Sequence, residues 1–201
     1  MKIFNNILIA SLFFTLFNQN IYASMDLENS ETKTLTVRQS SRLIILDSKD
    51  RLLLMQIKLD KPADPSAPIT KPYWVTLGGG VNSNESLEEA AARELDEETG
   101  IKNVKIGPKI WHGQWRGTNR INDETYFLIK LPYVGGVLDH SGFEEEEKKV
   151  IKKMKWWEID ELKESNEIFI PQQLSSYLTN ILKGEIPSTP VEIDLSTPKE
   201  N

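Results

Sequence analysis

The sequence predicts an α/β fold, on the evidence of three stretches. Lys33 to Leu46 and Arg51 to Lys58 are rich in β-branched and leucine residues and flank the turn Asp47-Ser48-Lys49-Asp50, the pattern of a hairpin. Gly78-Gly79-Gly80 leads into a helix whose two ends are both marked. Near the C-terminus, Leu174, Tyr177, Leu178, Ile181 and Leu182 recur at helical spacing. Pro171 suits the first turn of that helix, and Gly184 closes it.

Composition sets the frame for these elements. A chain of 201 residues, 39% hydrophobic and 27% charged, is an ordinary globular sequence long enough for one domain with a sizeable core. Its formal charge of −6 argues against holding nucleic acid through a basic surface, and leaves a small nucleotide ligand open. Residues 1–23 stand apart. Lys2 is their only charge, Ile7 to Phe17 is an apolar run too short to span a bilayer, and Ala23 offers a small residue for cleavage. This is the layout of a secretory signal peptide. The expected mature protein is exported to the periplasm or the medium and has no membrane segment. The chain contains no cysteine, so an oxidising compartment would find nothing to cross-link.

In chain order, residues 24–33 read as a polar leader, 34–184 as the domain and 185–201 as a tail. After the hairpin, Lys61 to Lys71 is a proline-containing loop, read either as the border of a site or as a surface insertion. Tyr73 to Thr76 is a short strand delivering the chain into the glycines, with Trp74 assigned to the core. In the helix, Ser86 and Glu89 form a capping box, and Gly100 takes the left-handed closing position. Leu87, Ala90, Ala91 and Leu95 form its apolar stripe. Val104 to Gly113 and Thr125 to Leu131 read as strands joined by a polar turn, with Trp111, His112 and Trp115 clustered between them. His112 is read as a structural hydrogen-bonder. Ser141 to Glu144 suggests a second capping box, opening an acidic run to Glu147 that is alternatively a solvated turn. Lys153 to Ile159, with Trp156 and Trp157, is a strand, and a short helix starts at Asp160.

The acids of the capped helix carry the chemistry. Glu88, Glu89, Asp96 and Thr99 point away from the apolar stripe, whereas Glu94, Glu97 and Glu98 continue it. Three inward carboxylates on one turn repel each other unless a cation compensates. An oxygen-only donor set suits Mg²⁺ or Mn²⁺, and the glycines from Gly78 onward let the backbone approach such an ion or its phosphates. An ordinary solvated acidic helix is the competing reading.

Gly79, then Glu85 after five residues, then Arg93-Glu94-Leu95-Asp96-Glu97-Glu98-Thr99-Gly100-Ile101 after seven more, resembles the Nudix box. The chain departs from the common pattern at Leu77, where proline often precedes the glycines, and at Asn84, where glycine often precedes the glutamate. Neither change removes an acid. The resemblance implies an α/β/α sandwich with a mixed β-sheet and a hydrolase that cleaves the diphosphate of a nucleoside diphosphate linked to another group. It implies metal binding by Glu94, Glu97, Glu98 and the backbone of Gly78, with Arg93 and Glu85 orienting the carboxylates. Glu94, or a glutamate outside the box such as Glu146 or Glu147, would activate water. Trp111 or Trp115 would stack on a base. Two further readings are a nucleotide sensor on the same fold and a hydrolase of a non-nucleoside pyrophosphate. Sensing alone should have damaged the box acids, and all of them are present. The isomerase branch of the family needs a cysteine that this chain lacks. Markers for ADP-ribose, dinucleoside polyphosphates and NADH are absent downstream of the box, so the substrate stays open.

Overall fold

The computed structural model describes residues 35–60, 69–117, 120–138 and 145–196, with backbone alone for 145–147. The expected signal peptide, leader and second capping box lie outside these residues, as do the side chains of Glu146 and Glu147.

Strands β1 (Thr36–Leu46) and β2 (Leu52–Ile57) form the predicted hairpin, closed by the antiparallel pair Leu46 and Leu52. Asp47 builds the turn. Its buried carboxylate accepts the N–H groups of Lys49 at 2.9 Å and Arg51 at 3.0 Å, and both Nε and Nη2 of Arg51 at 2.9 and 2.6 Å. The N–H of Gly135 reaches the same carboxylate at 3.0 Å, tying in a distant loop. Burial alone would raise the carboxyl's pKa, but the Arg51 and backbone hydrogen bonds outweigh it and hold the value at about 2. A depressed pKa of this kind adds stability above the ordinary carboxylate range that disappears as pH falls through the depressed value. Asp47→Asn should therefore cost about 2–3 kcal/mol at neutral pH, lowering Tm by about 4–12 °C. The deficit should shrink towards pH 2, and thermal melts across pH check this; an equal deficit at every pH would count against the assignment.

Past the turn the hairpin strands part. Strand β3 (Tyr73–Val75) pairs antiparallel with β2, and β4 (Leu77–Gly80) pairs antiparallel with β1, so the glycines themselves enter the sheet. Strands β5 (Lys109–Arg116) and β6 (Arg120–Lys130) form a second antiparallel hairpin. Strand β6 runs parallel to β1 from Thr36 opposite Arg120 to Leu46 opposite Lys130. Strand β7 (Ile151–Trp157) lies antiparallel to β2, and β8 (Ile168–Ile170) lies parallel to β3. Strand β9 (Val191–Glu192) lies parallel to β5. The sheet is mixed.

Both faces of the sheet are covered, because side chains alternate along each strand. Helix α1 (Leu87–Thr99) sets Ala91 and Leu95 against Leu43, Ile45, Leu53 and Phe127. A single turn, α2 (Glu145–Val150), precedes β7. Helices α3 (Ile159–Glu164) and α4 (Leu174–Leu182) set Leu162, Leu174, Leu178 and Ile181 against the other face, with Ile44, Leu54, Trp74 and Tyr126. The result is the expected α/β/α sandwich.

Several boundaries differ from expectation. Strand β5 starts at Lys109 rather than Val104, since Pro108 has no N–H for the ladder. Strand β6 starts at Arg120, taking polar residues that read as a turn into pairs with both β1 and β5. The last helix starts at Leu174, and Pro171 instead accepts the N–H of Leu174 in a turn before it. The tail is docked rather than free. Ile193 and Leu195 are buried, and Gly113 makes room for them: a Cβ there would lie 2.8 Å from Leu195 Cγ.

Candidate active site

Helix α1 forms as its caps dictate. The Ser86 hydroxyl accepts the N–H of Glu89 at 3.2 Å, the Glu89 carboxylate accepts the N–H of Ser86 at 2.8 Å, and Gly100 closes the helix at φ 70°. Glu88 and Glu89 are exposed, while Glu94 and Glu98 are 8% and 5% exposed and Glu97 is half-buried. Thr99 corrects the helical-wheel reading. It is buried, with its hydroxyl donating to the Leu95 carbonyl one turn back.

The acids meet the glycine strand directly. The N–H of Gly78 donates to Glu98 Oε2 at 2.7 Å. Gly78 has φ 118°, and a Cβ there would lie 2.1 Å from the Ser41 carbonyl oxygen, so only glycine fits. A Cβ on Gly79 would lie 2.1 Å from Glu94 Oε1. The missing side chains are what bring the β4 backbone against the carboxylates.

Arg93 joins the remaining acids. Its Nε and Nη2 donate to the two oxygens of Glu85 at 2.8 and 3.1 Å, and Nη1 donates to Glu94 at 2.7 Å and Glu97 at 2.9 Å. Nη2 also reaches the Gly80 carbonyl at 3.0 Å, and Glu85 accepts the N–H of Asn82 at 2.9 Å. Burial disfavours the guanidinium's charge, but the hydrogen bonds and charges of Glu85, Glu94 and Glu97 more than compensate, and its pKa is raised. Glu94 moves the other way for a carboxyl: burial pushes its pKa up even against Arg93.

The donor chemistry fits a divalent cation. Every donor is oxygen, Glu94 and Glu98 are more than nine-tenths buried, and the Gly79 cradle stays open only because it lacks a Cβ. Among the described residues no three acidic or histidine side chains already converge as a preformed metal cluster. Arg93 sits between Glu94 and Glu97 instead.

Two residues that sequence reasoning missed hold the glycines from the other side. Arg42 Nη1 donates to the Gly78 carbonyl at 2.9 Å, so this expected metal-facing group already has one partner. Arg42 Nη2 pairs with Glu124 at 2.9 Å, and Glu124 also accepts from Trp115 Nε1 at 3.1 Å and the Tyr126 hydroxyl at 2.9 Å. The available signal was alternation: Arg38, Ser40 and Arg42 share one face of a strand that is otherwise apolar from Leu43 onward.

The tryptophans separate. Trp111 is 3% exposed and packs on Tyr126 and Tyr177, so it belongs to the core and cannot present a stacking face. Trp115 is only partly buried and lies beside Glu124. His112 bridges Asp123 and Glu192, each at 2.7 Å, and thereby fastens β9 to the sheet.

The model of the NUDIX domain matches residues 36–176, the span that contains this helix, its glycines and the sheet they pack on. The chain belongs to the NUDIX family. Nudix hydrolases generally use divalent metal ions. An RNA pyrophosphohydrolase of Pelagibacter ubique (strain HTCC1062) is 28% identical over 113 aligned residues, covering 48% of this chain and 63% of the relative. The present NUDIX chain thus spans less than two thirds of that relative's length. Two solved structures share the fold. The MutT protein of Methanosarcina mazei Go1 has 20% identity and a TM-score of 0.51, over 76% of this chain and 98% of that one. A NUDIX hydrolase from Nitrosomonas europaea has 16% identity and a TM-score of 0.53, over 75% and 92%.

Proposed function

We propose that this NUDIX chain hydrolyses the phosphoric anhydride of a nucleoside diphosphate derivative, with Mg²⁺ or Mn²⁺ held by Glu94, Glu97 and Glu98. The observation that carries the reading is the burial of Glu94 and Glu98 against the Gly78–Gly80 backbone, an arrangement with no purpose on a merely solvated helix. The metal, when bound, would neutralise charge on the phosphate oxygens and lower the pKa of water. The chain's own groups do the rest. Gly78 and Gly79 bring the backbone close to the acids, and Arg42 fixes the Gly78 carbonyl. Arg93 and Glu85 set the directions of Glu94 and Glu97. Glu94, in this reading, takes the proton of the attacking water.

The test is a panel of nucleoside diphosphate derivatives incubated with the full chain and Mg²⁺ or Mn²⁺, with products separated by chromatography. A 5′-triphosphorylated RNA oligonucleotide belongs in the panel because relatives carry the name RNA pyrophosphohydrolase. The chain's acidity favours a small nucleotide over RNA held along a surface. The expected result is metal-dependent release of a nucleoside monophosphate from at least one small substrate. No turnover across the panel with either metal would sink the proposal.

A further inference from the structure

One face of the sheet changes character along β1. Towards the hairpin it carries Ile44 and Leu46 and is core. Towards the start of the strand it becomes polar, in rows set by the registers of β1, β6 and β5. Arg42, Tyr126 and Trp111 form one row, Ser40, Glu124 and Gly113 the next, and Arg38, Asn122 and Trp115 the third. Arg120 follows opposite Thr36. Residues paired across strands share a face, so Arg38, Arg120 and Asn122 stand together on it.

Asn122 is the residue this arrangement leaves unexplained. It is 4% exposed, yet its Nδ2 has no hydrogen-bond partner, a donor stranded in the interior. Buried donors without partners are rare because each forfeits its bonds to water, and such a group asks for an unmodelled partner. Its neighbours say what kind. Arg38 lies over Gly80, whose added Cβ would be 2.2 Å from Arg38 Nη2. Burial first, then the charges of Arg120 and Arg42, pull the Arg38 pKa down to about 10, so positive charge is crowded here despite Glu94 and Glu124. An amide donor between two cations fits an anion and repels another cation.

We propose that Arg38, Asn122 and Arg120 form a subsite for a second phosphate of the substrate, distinct from the diphosphate that is cleaved. The Arg38 row is four residues from the Arg42 row that grips Gly78, or about 13 Å along the strand. One diphosphate at Gly78 and Glu98 does not span that distance. The subsite therefore selects nucleotides bearing a further phosphate, on the ribose or in the next internucleotide link. The proposal rests on the hydrolase reading for its substrate but not for its anion.

Two measurements test it on the full chain. With EDTA present, inorganic phosphate should quench tryptophan fluorescence saturably, because Trp115 lies directly across from Asn122. Asn122→Asp should weaken that binding at least tenfold without lowering Tm, since the new carboxylate gains Arg38 and Arg120 as partners. Arg120→Gln should weaken it similarly should the first variant fold poorly, and Glu98→Gln should leave it unchanged. With metal, KM is compared for ADP-ribose against its 2′-phosphate, and for a nucleoside triphosphate against a 5′-triphosphorylated dinucleotide. A preference for the extra phosphate of at least tenfold is expected in one pair, identifying its source, and it should collapse in Asn122→Asp. Phosphate binding equal in wild type and both subsite variants overturns the subsite and leaves the hydrolase reading intact. Binding lost in those variants, with no turnover by the wild type, supports the subsite and rejects the hydrolase reading.

Discussion

Glu98→Gln should lower metal-dependent turnover by roughly 10²–10³-fold, the equivalent of several kcal/mol of lost transition-state charge stabilisation. The fold should survive, because a glutamine oxygen can still accept the N–H of Gly78 that Glu98 now holds at 2.7 Å. What disappears is one buried negative charge. Mg²⁺ should raise the Tm of the wild type through linkage to the folded state, and the variant should show a smaller rise. Its metal-free Tm should match or exceed that of the wild type, since a charge buried near Glu94 has been removed. Glu88→Gln is the control: Glu88 is exposed and pairs only with Lys109 on the surface, so both readouts should stay near wild type. Full turnover together with a full metal shift in Glu98→Gln would make the inward acids ordinary ones.

The helix and the hairpin were legible because local rules determine them. Ser86, Glu89, Gly100 and the apolar stripe act within a few residues of one another, and so do Asp47 and Arg51. The site's other half obeys no local rule. Arg42 and Glu124 are 82 residues apart in sequence and meet only because β1 and β6 pair in parallel, a register that no periodicity announces. The two tryptophans were inseparable for a related reason. An irregularity between Lys109 and Trp111 breaks the alternation of β5, so that Ile110 and Trp111 are both buried. Strand β9 escaped notice because it has two residues and sits among prolines, with its burial supplied by a glycine in another strand.

Glu124→Leu should destabilise the protein by about 3–5 kcal/mol, the cost of leaving one member of a buried ion pair uncompensated, or roughly 6–20 °C in Tm. Arg42 would keep its charge and lose the carboxylate 2.9 Å away, while Trp115 Nε1 and the Tyr126 hydroxyl would lose their acceptor. Burial would raise the Glu124 pKa, but the Arg42 charge and hydrogen bond outweigh it and hold the carboxyl below its ordinary range. The pair's stabilisation is therefore present above that range and is lost as pH falls through the depressed value, so the deficit should narrow in acid. Arg42→Met combined with Glu124→Leu should recover much of the stability, because well-packed apolar groups replace buried ion pairs at little cost. Turnover should not recover with it. The Gly78 carbonyl would still lack the Arg42 donor that fixes the glycine strand against Glu98. Thermal melts and metal-dependent hydrolysis measured on both variants separate the two roles. Equal recovery of stability and turnover in the double variant would reduce the Arg42–Glu124 pair to packing.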